Sequence, residues 1–502
     1  MSDTKQSVIG LLARPKVIPL LAFLIPTLVR AIPEILMGPF VTGFDVLAYY
    51  IPNTLLWLRD GVGFWNFFAV APLFYLLLMG ITYIGVPIVL SVKIISPLLL
   101  GFLGIVVYLY ANKTLFWSPK KSMLVVLFAT LYFVALRVSW DMLRTELGLI
   151  FLFVALFSLG KGSRKNWVFL SLAMVAVVFA HQLVAVIMFS IVLFAAIVLA
   201  IDRKWVDVRR IVLCSVPAVF LFLVIVYANY VVSSDFSAVS GFPAQTSEGW
   251  MALFGFASYT DYVVNTVGFL LLCYLPILPL LVLGFKQFGK SSHLKGWVLS
   301  TLVIVSLSII GATTFFGVLP YRWIILLTFP LAFYATEGFS HLKKRKYKVA
   351  IGFIIAFLSV SFVILPRSLA LPYFSVFPYY GPISLLHNTV PLDDCQDIVN
   401  ALEWAKNEIN DSSRLLVHDA FYGWAILTID NDRLLPYGHE NPVTIAKELI
   451  ENGSRSQLYL IWWINGVGWY NQSPVSPPFE RLYSSGNVAI YTFNTTVPLK
   501  GH

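Results

Sequence analysis

The sequence predicts a polytopic α-helical membrane protein of about 11 to 13 spans that ends in a small α/β extracytoplasmic domain. Three observations predict it: apolar stretches long enough to cross a bilayer, short basic clusters between them, and a change in composition after residue 366. Of the 502 residues, 59% are hydrophobic and only 12% are charged. A soluble domain carries about 25% charged residues, so this composition excludes a soluble enzyme.

Eleven apolar stretches approach the roughly 20 residues that a helix needs to cross a hydrocarbon core about 30 Å thick. They are residues 17–36, 88–110, 122–139, 145–160, 166–181, 183–201, 211–231, 262–284, 297–318, 323–340 and 349–366. A further apolar stretch, 67–83, is interpreted as a re-entrant or interfacial segment of an outer loop spanning 38–87, because protein can cover its backbone there. The alternative is that 67–83 is a genuine span.

The basic residues lie in short clusters between the apolar stretches, and the net charge is +10. The clusters are Arg14/Lys16, Lys113/Lys120/Lys121, Lys161/Arg164/Lys165, Arg203/Lys204/Arg209/Arg210, Lys286/Lys290/Lys295 and Lys343/Lys344/Arg345/Lys346/Lys348. Short loops rich in Lys and Arg stay in the cytoplasm. The pattern therefore predicts a cytoplasmic N-terminus in the cell membrane and an extracytoplasmic C-terminal domain, and it does not indicate nucleic-acid binding.

Ionisable residues collect near the predicted outer ends of the spans. They are Arg30, Glu34, Asp45, Arg59, Asp60, Arg137, Asp141, Arg144, Glu146, His181 and Arg322, while Lys93 lies within a span. Charges inside a membrane are costly and usually mark function, so one polar layer at the outer face indicates a site there.

Asp45 lies in the first outer loop and has two interpretations. It follows the Gly43-Phe44 turn, and it could cap a short helix that runs to Arg59. Its position just beyond the first span also suits a general base aimed into a cleft at the membrane surface.

Asp141 belongs to a second outer cluster that also contains Arg137, Arg144 and Glu146. One interpretation is interfacial anchoring, with Trp140 at the level of the lipid headgroups. The functional interpretation assigns the acid to an acceptor or a metal and an arginine to bidentate binding of a phosphate.

His181 and Arg322 lie at the predicted outer ends of later spans. A histidine at a helix end is usually a hydrogen-bonding residue, and a binding role is the alternative. Arg322 follows Pro320 at the outer leaflet, where its charge could neutralise a phosphate leaving group.

Residues 1–366 are predicted to form the membrane domain and residues 367–502 the C-terminal domain. Helical spacing predicts a helix over 394–410 and another at Pro442–Glu451, and short β-type runs occur at 415–418, Leu458–Trp463 and Val488–Phe493. The aromatic residues of this domain could stack on sugars, face the membrane interface or form an ordinary core. They are Tyr422, Trp424, Trp462, Trp463, Trp469 and Tyr470.

At these residues the chain resembles the GT-C superfamily of membrane glycosyltransferases, in particular the protein mannosyltransferases and aminoarabinose transferases. The resemblance covers the plan of the whole chain, and its motifs are Gly43-Phe44-Asp45 and Ser139-Trp140-Asp141. It implies an outward-facing cavity, a polyprenyl-phosphate or polyprenyl-diphosphate sugar donor, inversion at the anomeric carbon, and roles for Asp45 as catalytic base and Asp141 as second acid.

The chain departs from some branches of that family. Its first loop has no Asp-x-Asp or Asp-Glu pair, and Trp462-Trp463 is followed by Ile-Asn-Gly in place of the Asp-Tyr-Gly of oligosaccharyltransferases. The second departure argues against transfer of a whole oligosaccharide. The first leaves the need for a divalent metal, Mg²⁺ or Mn²⁺, open.

Three functions are therefore considered. The leading one is transfer of a sugar from a polyprenyl-phosphate donor to a glycan, lipid or protein acceptor, with Arg144, Arg322, Arg137 and His181 as candidate contacts to the donor phosphate or the acceptor. The others are a transporter or flippase of a lipid-linked or polar substrate, and a non-catalytic receptor or assembly subunit. The sequence has no Walker loop and no zinc-protease motif.

Overall fold

The computed structural model describes residues 17–159, 163–240, 258–287, 291–311, 320–364, 392–437, 441–451, 457–465 and 478–493, and side chains are not described for 233–240, 287, 361, 362 and 364. These residues form two compact units. The membrane unit holds residues 17–36 and those from 61 to 364, and the C-terminal unit holds 37–60 and those from 392 to 493. The predicted basic residues Arg14, Lys16, Lys161 and Lys290, the predicted domain boundary at 366, and Trp469 and Tyr470 lie outside the described residues.

The membrane unit is built from helices. They are α1 Val17–Leu36, α3 Phe64–Ala69, α4 Leu73–Tyr83, α5 Ile88–Leu109, α6 Pro119–Leu131, α7 Phe133–Asp141, α8 Leu143–Leu159, α9 Arg164–Ala180, α10 Gln182–Ile201, α11 Trp205–Ser240, α12 Tyr259–Tyr274, α13 Leu278–Gln287, α14 Ser292–Ile310, α15 Pro320–Leu326, α16 Thr328–His341 and α17 Arg345–Ile364. Helix α2, Ile51–Asp60, belongs to the C-terminal unit.

Seven helical stretches in the described part of the chain are long and apolar enough to cross a membrane, and the number rises to eight if the bent pair α6 and α7 is one span. The protein is therefore an integral membrane protein. The first three predicted spans begin at or near the starts of α1, α5 and α6, but the third is broken by a 58° bend after Leu131. The predicted total of about 11 to 13 spans stays a prediction.

The segment 67–83 is helical but interrupted. Helix α3 ends at Ala69, Ala71 has a φ of +50°, and α4 then continues for 11 residues. At 1.5 Å per residue α4 is about 16 Å long, roughly half of a hydrocarbon core. These lengths favour the re-entrant or interfacial interpretation over a genuine span.

The outward face of α11 is strongly apolar. Phe220 is 69% exposed and Leu223 is 60% exposed, and Val212, Leu213 and Val216 continue the same apolar surface. Such a surface is unfavourable in water and favourable against lipid chains.

Helices α1 and α5 pack with their backbones nearly in contact. A Cβ at Gly104 would lie 2.1 Å from the carbonyl oxygen of Ala22, and a Cβ at Gly101 would lie 2.1 Å from Oγ1 of Thr27. Small residues at such crossings let membrane helices approach closely. This crossing holds the end of α1 that carries Arg30 and Glu34 beside α5.

The C-terminal unit contains a five-stranded mixed sheet of order β2-β1-β3-β5-β4. The strands are β1 Arg414–His418, β2 Leu434–Tyr437, β3 Leu458–Trp463, β4 Phe479–Ser485 and β5 Val488–Phe493, and the helices are α18 Cys395–Glu408, α19 Asp419–Thr428 and α20 Pro442–Glu451. Strand β1 is parallel to β2 and β3, whereas β5 is antiparallel to β3 and β4. The predicted small α/β fold is confirmed, although β2, β4 and α19 were not predicted from the sequence.

The tryptophans of β3 are core residues. The side chains of Trp462 and Trp463 are fully buried, and Phe421 of α19 packs on Trp463 with ring centroids 4.2 Å apart. Trp463 also donates a hydrogen bond of 3.0 Å from Nε1 to Oδ2 of Asp394. Of the three uses considered for these aromatic residues, an ordinary core is the one that applies to both tryptophans.

Candidate active site

Asp141 ends α7 at a break between two helices of the membrane unit. Met142 leaves helical geometry, with φ −88° and ψ 47°, and α8 begins at the next residue. Asp141 is 2% exposed, and its carboxylate forms an ion pair with Arg137, one turn earlier on α7. A buried carboxylate requires such a partner, and the pairing directs Asp141 along one side of α7.

Arg30 of α1 binds the backbone just before Asp141. Its Nε donates to the carbonyl oxygen of Ser139 at 3.1 Å and its Nη2 to that of Trp140 at 3.4 Å, and its guanidinium lies 4.8 Å from the Trp140 ring centroid. Glu34 pairs with Arg30 at 2.7 Å and with Lys93 at 3.2 Å. Lys93, which lies within a predicted span, is therefore paired.

Arg144 lies at the start of α8 and binds the interrupted segment between α3 and α4. It donates to the carbonyl oxygen of Val70, and its guanidinium lies 5.5 Å from the Tyr75 ring centroid. The neighbouring carbonyl of Ala69 accepts hydrogen bonds of 2.8 Å from Gln182 and from Asn229. Side chains thus satisfy the backbone carbonyls that the break exposes, as a membrane interior requires.

His181 is the single extended residue between α9 and α10, with φ −163° and ψ 128°. Its ring is buried, and Nε2 lies 3.2 Å from Oγ1 of Thr145. The two cations whose charge acts on the ring are Arg144 and Arg322. Arg322 is exposed on α15, which also contacts α7, the helix of Asp141. The imidazole therefore lies among positive charges.

Asp45 lies in the C-terminal unit and is 8% exposed. Its backbone is already helical, with φ −61° and ψ −26°, and the hydrogen bond of 3.0 Å from Leu47 N to Gly43 O shows that the helical turn begins before it. Its side chain makes no capping hydrogen bond to the turn Val46–Tyr50 among the described residues. The capping interpretation is therefore wrong in its geometry, and the role of general base stays a prediction.

Five of the six predicted site residues, namely Asp141, Arg137, Arg144, His181 and Arg322, belong to the membrane unit. Their catalytic and binding roles stay predictions. Arg30 and Glu34 have no role predicted from the sequence, although opposite charges four residues apart in an apolar helix are the signal of a buried pair. Within the described residues, no group of three or more His, Cys, Asp or Glu side chains could hold a metal ion.

Comparison with known proteins identifies the fold. No protein-family model and no curated protein matches the chain. The crystal structure of ArnT from Cupriavidus metallidurans bound to undecaprenyl phosphate matches with a TM-score of 0.52 and 14% sequence identity, covering 95% of this chain and 98% of that chain. The apo structure of that ArnT matches with a TM-score of 0.48 and 13% identity. The chain is therefore similar in its membrane fold to this ArnT.

Proposed function

We propose that this protein is a membrane glycosyltransferase that moves a sugar from a polyprenyl-phosphate donor to a glycan, lipid or protein acceptor at the outer face of the membrane. The observation that carries the proposal is the likeness in fold, over 95% of the chain, to an ArnT structure that holds undecaprenyl phosphate. A buried acid and three arginines in the corresponding membrane unit support it. They are Asp141, Arg137, Arg144 and Arg322.

In the proposed reaction Asp45 accepts the proton of the acceptor hydroxyl or amine. The acceptor atom then attacks the anomeric carbon, and the bond between that carbon and the phosphate oxygen breaks with inversion. The polyprenyl phosphate leaves with the bonding electron pair. Arg322, which is exposed on α15, is the residue proposed to pair with the developing charge on the phosphate, an interaction that strengthens in the transition state.

Three other predicted site residues have less direct roles in the proposed reaction. They are Arg137, Arg144 and His181. Arg137 is already paired with Asp141, and Arg144 is bound to the Val70 carbonyl. We therefore assign Arg137 to orientation of Asp141 and Arg144 to the segment between α3 and α4, and His181 stays a candidate contact of the donor or the acceptor. Whether the reaction needs a divalent metal ion stays open, and no step of the proposed reaction depends on one.

The test uses the full-length protein in liposomes with a polyprenyl-phosphate sugar labelled in the sugar, together with acceptors from a membrane extract. Transfer of label and release of polyprenyl phosphate are measured for wild type, Asp45→Asn, Asp141→Asn and the control Asp202→Asn, whose side chain is 50% exposed. Loss of the general base lowers the rate about 100- to 10,000-fold. We expect such a loss in Asp45→Asn, a large loss in Asp141→Asn and none in Asp202→Asn.

Unchanged transfer in both acid variants would contradict the proposal. Movement of an intact labelled lipid across the bilayer, without release of polyprenyl phosphate, would support a flippase in its place. A chain that only binds the labelled donor or a glycan would support a receptor.

A further inference from the structure

The break between α7 and α8 leaves backbone groups that need partners. In an unbroken helix the carbonyls of Ser139 and Trp140 would accept hydrogen bonds from the amides of residues 143 and 144. The departure of Met142 from helical geometry ends α7, and the last four carbonyls of a helix have no partner within it. Ser139 and Trp140 are buried, and backbone carbonyls that are buried away from water need hydrogen-bond partners.

Arg30 supplies the missing donors from another helix. Its planar guanidinium contacts both carbonyls and the Trp140 ring at once, while the residue itself is only 1% exposed. A cation at the C-terminal end of a helix also interacts favourably with the helix dipole. Lysine could not make this set of contacts, because its ammonium group lacks the fixed fork of donors.

Arg30 is itself held in place by charge. Glu34 contacts both Arg30 and Lys93, and α1 is locked against α5 by the glycine crossing at Gly104. Arg30, Glu34 and Lys93 therefore form one charged cluster between α1 and α5.

We propose that Arg30 is a positioning residue that fixes Asp141 for catalysis by holding the carbonyls of Ser139 and Trp140 at the helix break, with Glu34 and Lys93 as its support. This inference rests on the proposed glycosyl transfer. Arg30 contacts the two residues before Asp141, and displacement of a reacting group by about 1 Å can lower the rate about 100-fold.

Two variants test the proposal in full-length protein in liposomes. Arg30→Lys keeps the positive charge and removes the planar, forked set of N–H donors of the guanidinium. The double variant Glu34→Gln/Lys93→Gln removes one negative and one positive charge together, so it loosens the support of Arg30 without unbalancing the cluster. Arg345→Lys, at an exposed position at the start of α17, is the matched control.

With a polyprenyl-phosphate sugar as donor, we expect kcat to fall about 100-fold in Arg30→Lys, with KM for the donor within twofold of wild type. In the Asp141→Asn background Arg30→Lys should cause no further loss, because both changes remove the same function. A purely structural role would instead add its loss to that of Asp141→Asn. Additive losses, or an unchanged kcat, would overturn the proposal.

Hydrogen–deuterium exchange gives a second readout that needs no activity. The amides of residues 141–146 should exchange faster in Arg30→Lys and in the double variant than in wild type, while those of 170–178 in α9 should be unchanged. Unchanged exchange at 141–146 would contradict the proposal that Arg30 holds the backbone at the break between α7 and α8. If wild type transfers no sugar, the proposed function fails, and the exchange experiment still decides whether Arg30 positions this turn.

Discussion

Gly423 lies so close to the backbone of Leu47 that a Cβ at position 423 would be 2.6 Å from the Leu47 carbonyl oxygen and 2.8 Å from its Cα. Both residues belong to the C-terminal unit, so α19 packs directly on the helical turn that begins around Asp45. Phe40 and Trp424 extend this contact with ring centroids 5.8 Å apart. The loop that carries the predicted catalytic base is thus held by the C-terminal α/β domain.

The first prediction concerns that contact. Gly423→Ala should destabilise the C-terminal unit by about 1–3 kcal/mol, because the added methyl group meets backbone atoms that cannot rotate away. On the proposed function, transfer should also fall, since Leu47 is two residues from Asp45. Urea unfolding and the transfer assay measure the two effects. The control is Gly352→Ala, since a Cβ there meets no atom within 4 Å. Wild-type behaviour of Gly423→Ala would show that the contact is not tight.

The second prediction concerns the crossing of α1 and α5. Gly104→Ala should lower the stability of the membrane unit by about 1–3 kcal/mol, because the methyl group would lie 2.1 Å from the Ala22 carbonyl oxygen. Thermal unfolding in detergent can be followed with a thiol-reactive dye, since all three cysteines are buried. Gly80→Ala in α4, with no atom within 4 Å, should match wild type. Equal melting temperatures for the two variants would contradict the prediction.

The third prediction concerns orientation in the membrane. A membrane-impermeant maleimide should label Asp60→Cys in intact cells, because the loop from 37 to 60 is predicted to lie outside. Lys204→Cys should react only after permeabilisation. The two replaced side chains are 54% and 57% exposed, so accessibility to the reagent is matched. The reverse labelling pattern would place Asp45 in the cytosol and remove the basis of the proposed reaction.

The fourth prediction concerns the pH dependence of the C-terminal unit. Burial raises the pKa of Asp394 above its ordinary value of 3.8, and the nearby charges of Asp397 and Asp393 add to the effect, while hydrogen bonds from Asn487 and Trp463 oppose it. Because the pKa is higher in the folded state, this group favours folding below about pH 3.8, and its contribution is lost as the pH rises through the folded pKa.

Asp394→Asn should therefore gain stability relative to wild type as the pH rises from about 4 to 7, as measured by the urea midpoint of the C-terminal unit. Asn keeps an oxygen that can accept the Trp463 hydrogen bond. Asp411→Asn, whose side chain is 93% exposed, is the control. A difference between Asp394→Asn and wild type that stays constant with pH would contradict the assignment.

Sequence patterns predicted helices and strands well where one periodicity, or the composition of one stretch, determined the element. The predicted strand pattern matched β3 and β5, and α20 runs over the predicted residues, because alternation and helical spacing are local properties of the chain. Strand β4 was missed, since its residues are mostly exposed at the sheet edge and lack an apolar run. Helix α19 was missed because its short apolar stretch continues directly from β1.

In the candidate site, too, local sequence patterns indicate some features and not others. The spacing of apolar and charged residues locates the loops that carry acids, and it makes Asp45, Asp141 and the arginines near them candidates whose roles stay predictions. The pairing of Arg137 with Asp141 is a four-residue helical relation and was within reach of the sequence. The hydrogen bonds from Arg30 to the carbonyls of Ser139 and Trp140 join residues about 110 positions apart, and no local pattern indicates them.

The sequence by itself determined that the chain is a many-helix membrane protein with a small α/β domain, because hydrophobicity over about 20 residues and the placement of basic loops are sufficient to specify insertion. Only the tertiary structure decided where the helices break and which distant donors satisfy the exposed carbonyls. It also decided that the Asp45 loop packs on α19 of the C-terminal unit. These features depend on long-range contacts between side chains and backbone, whose partners are set by packing and not by spacing along the chain.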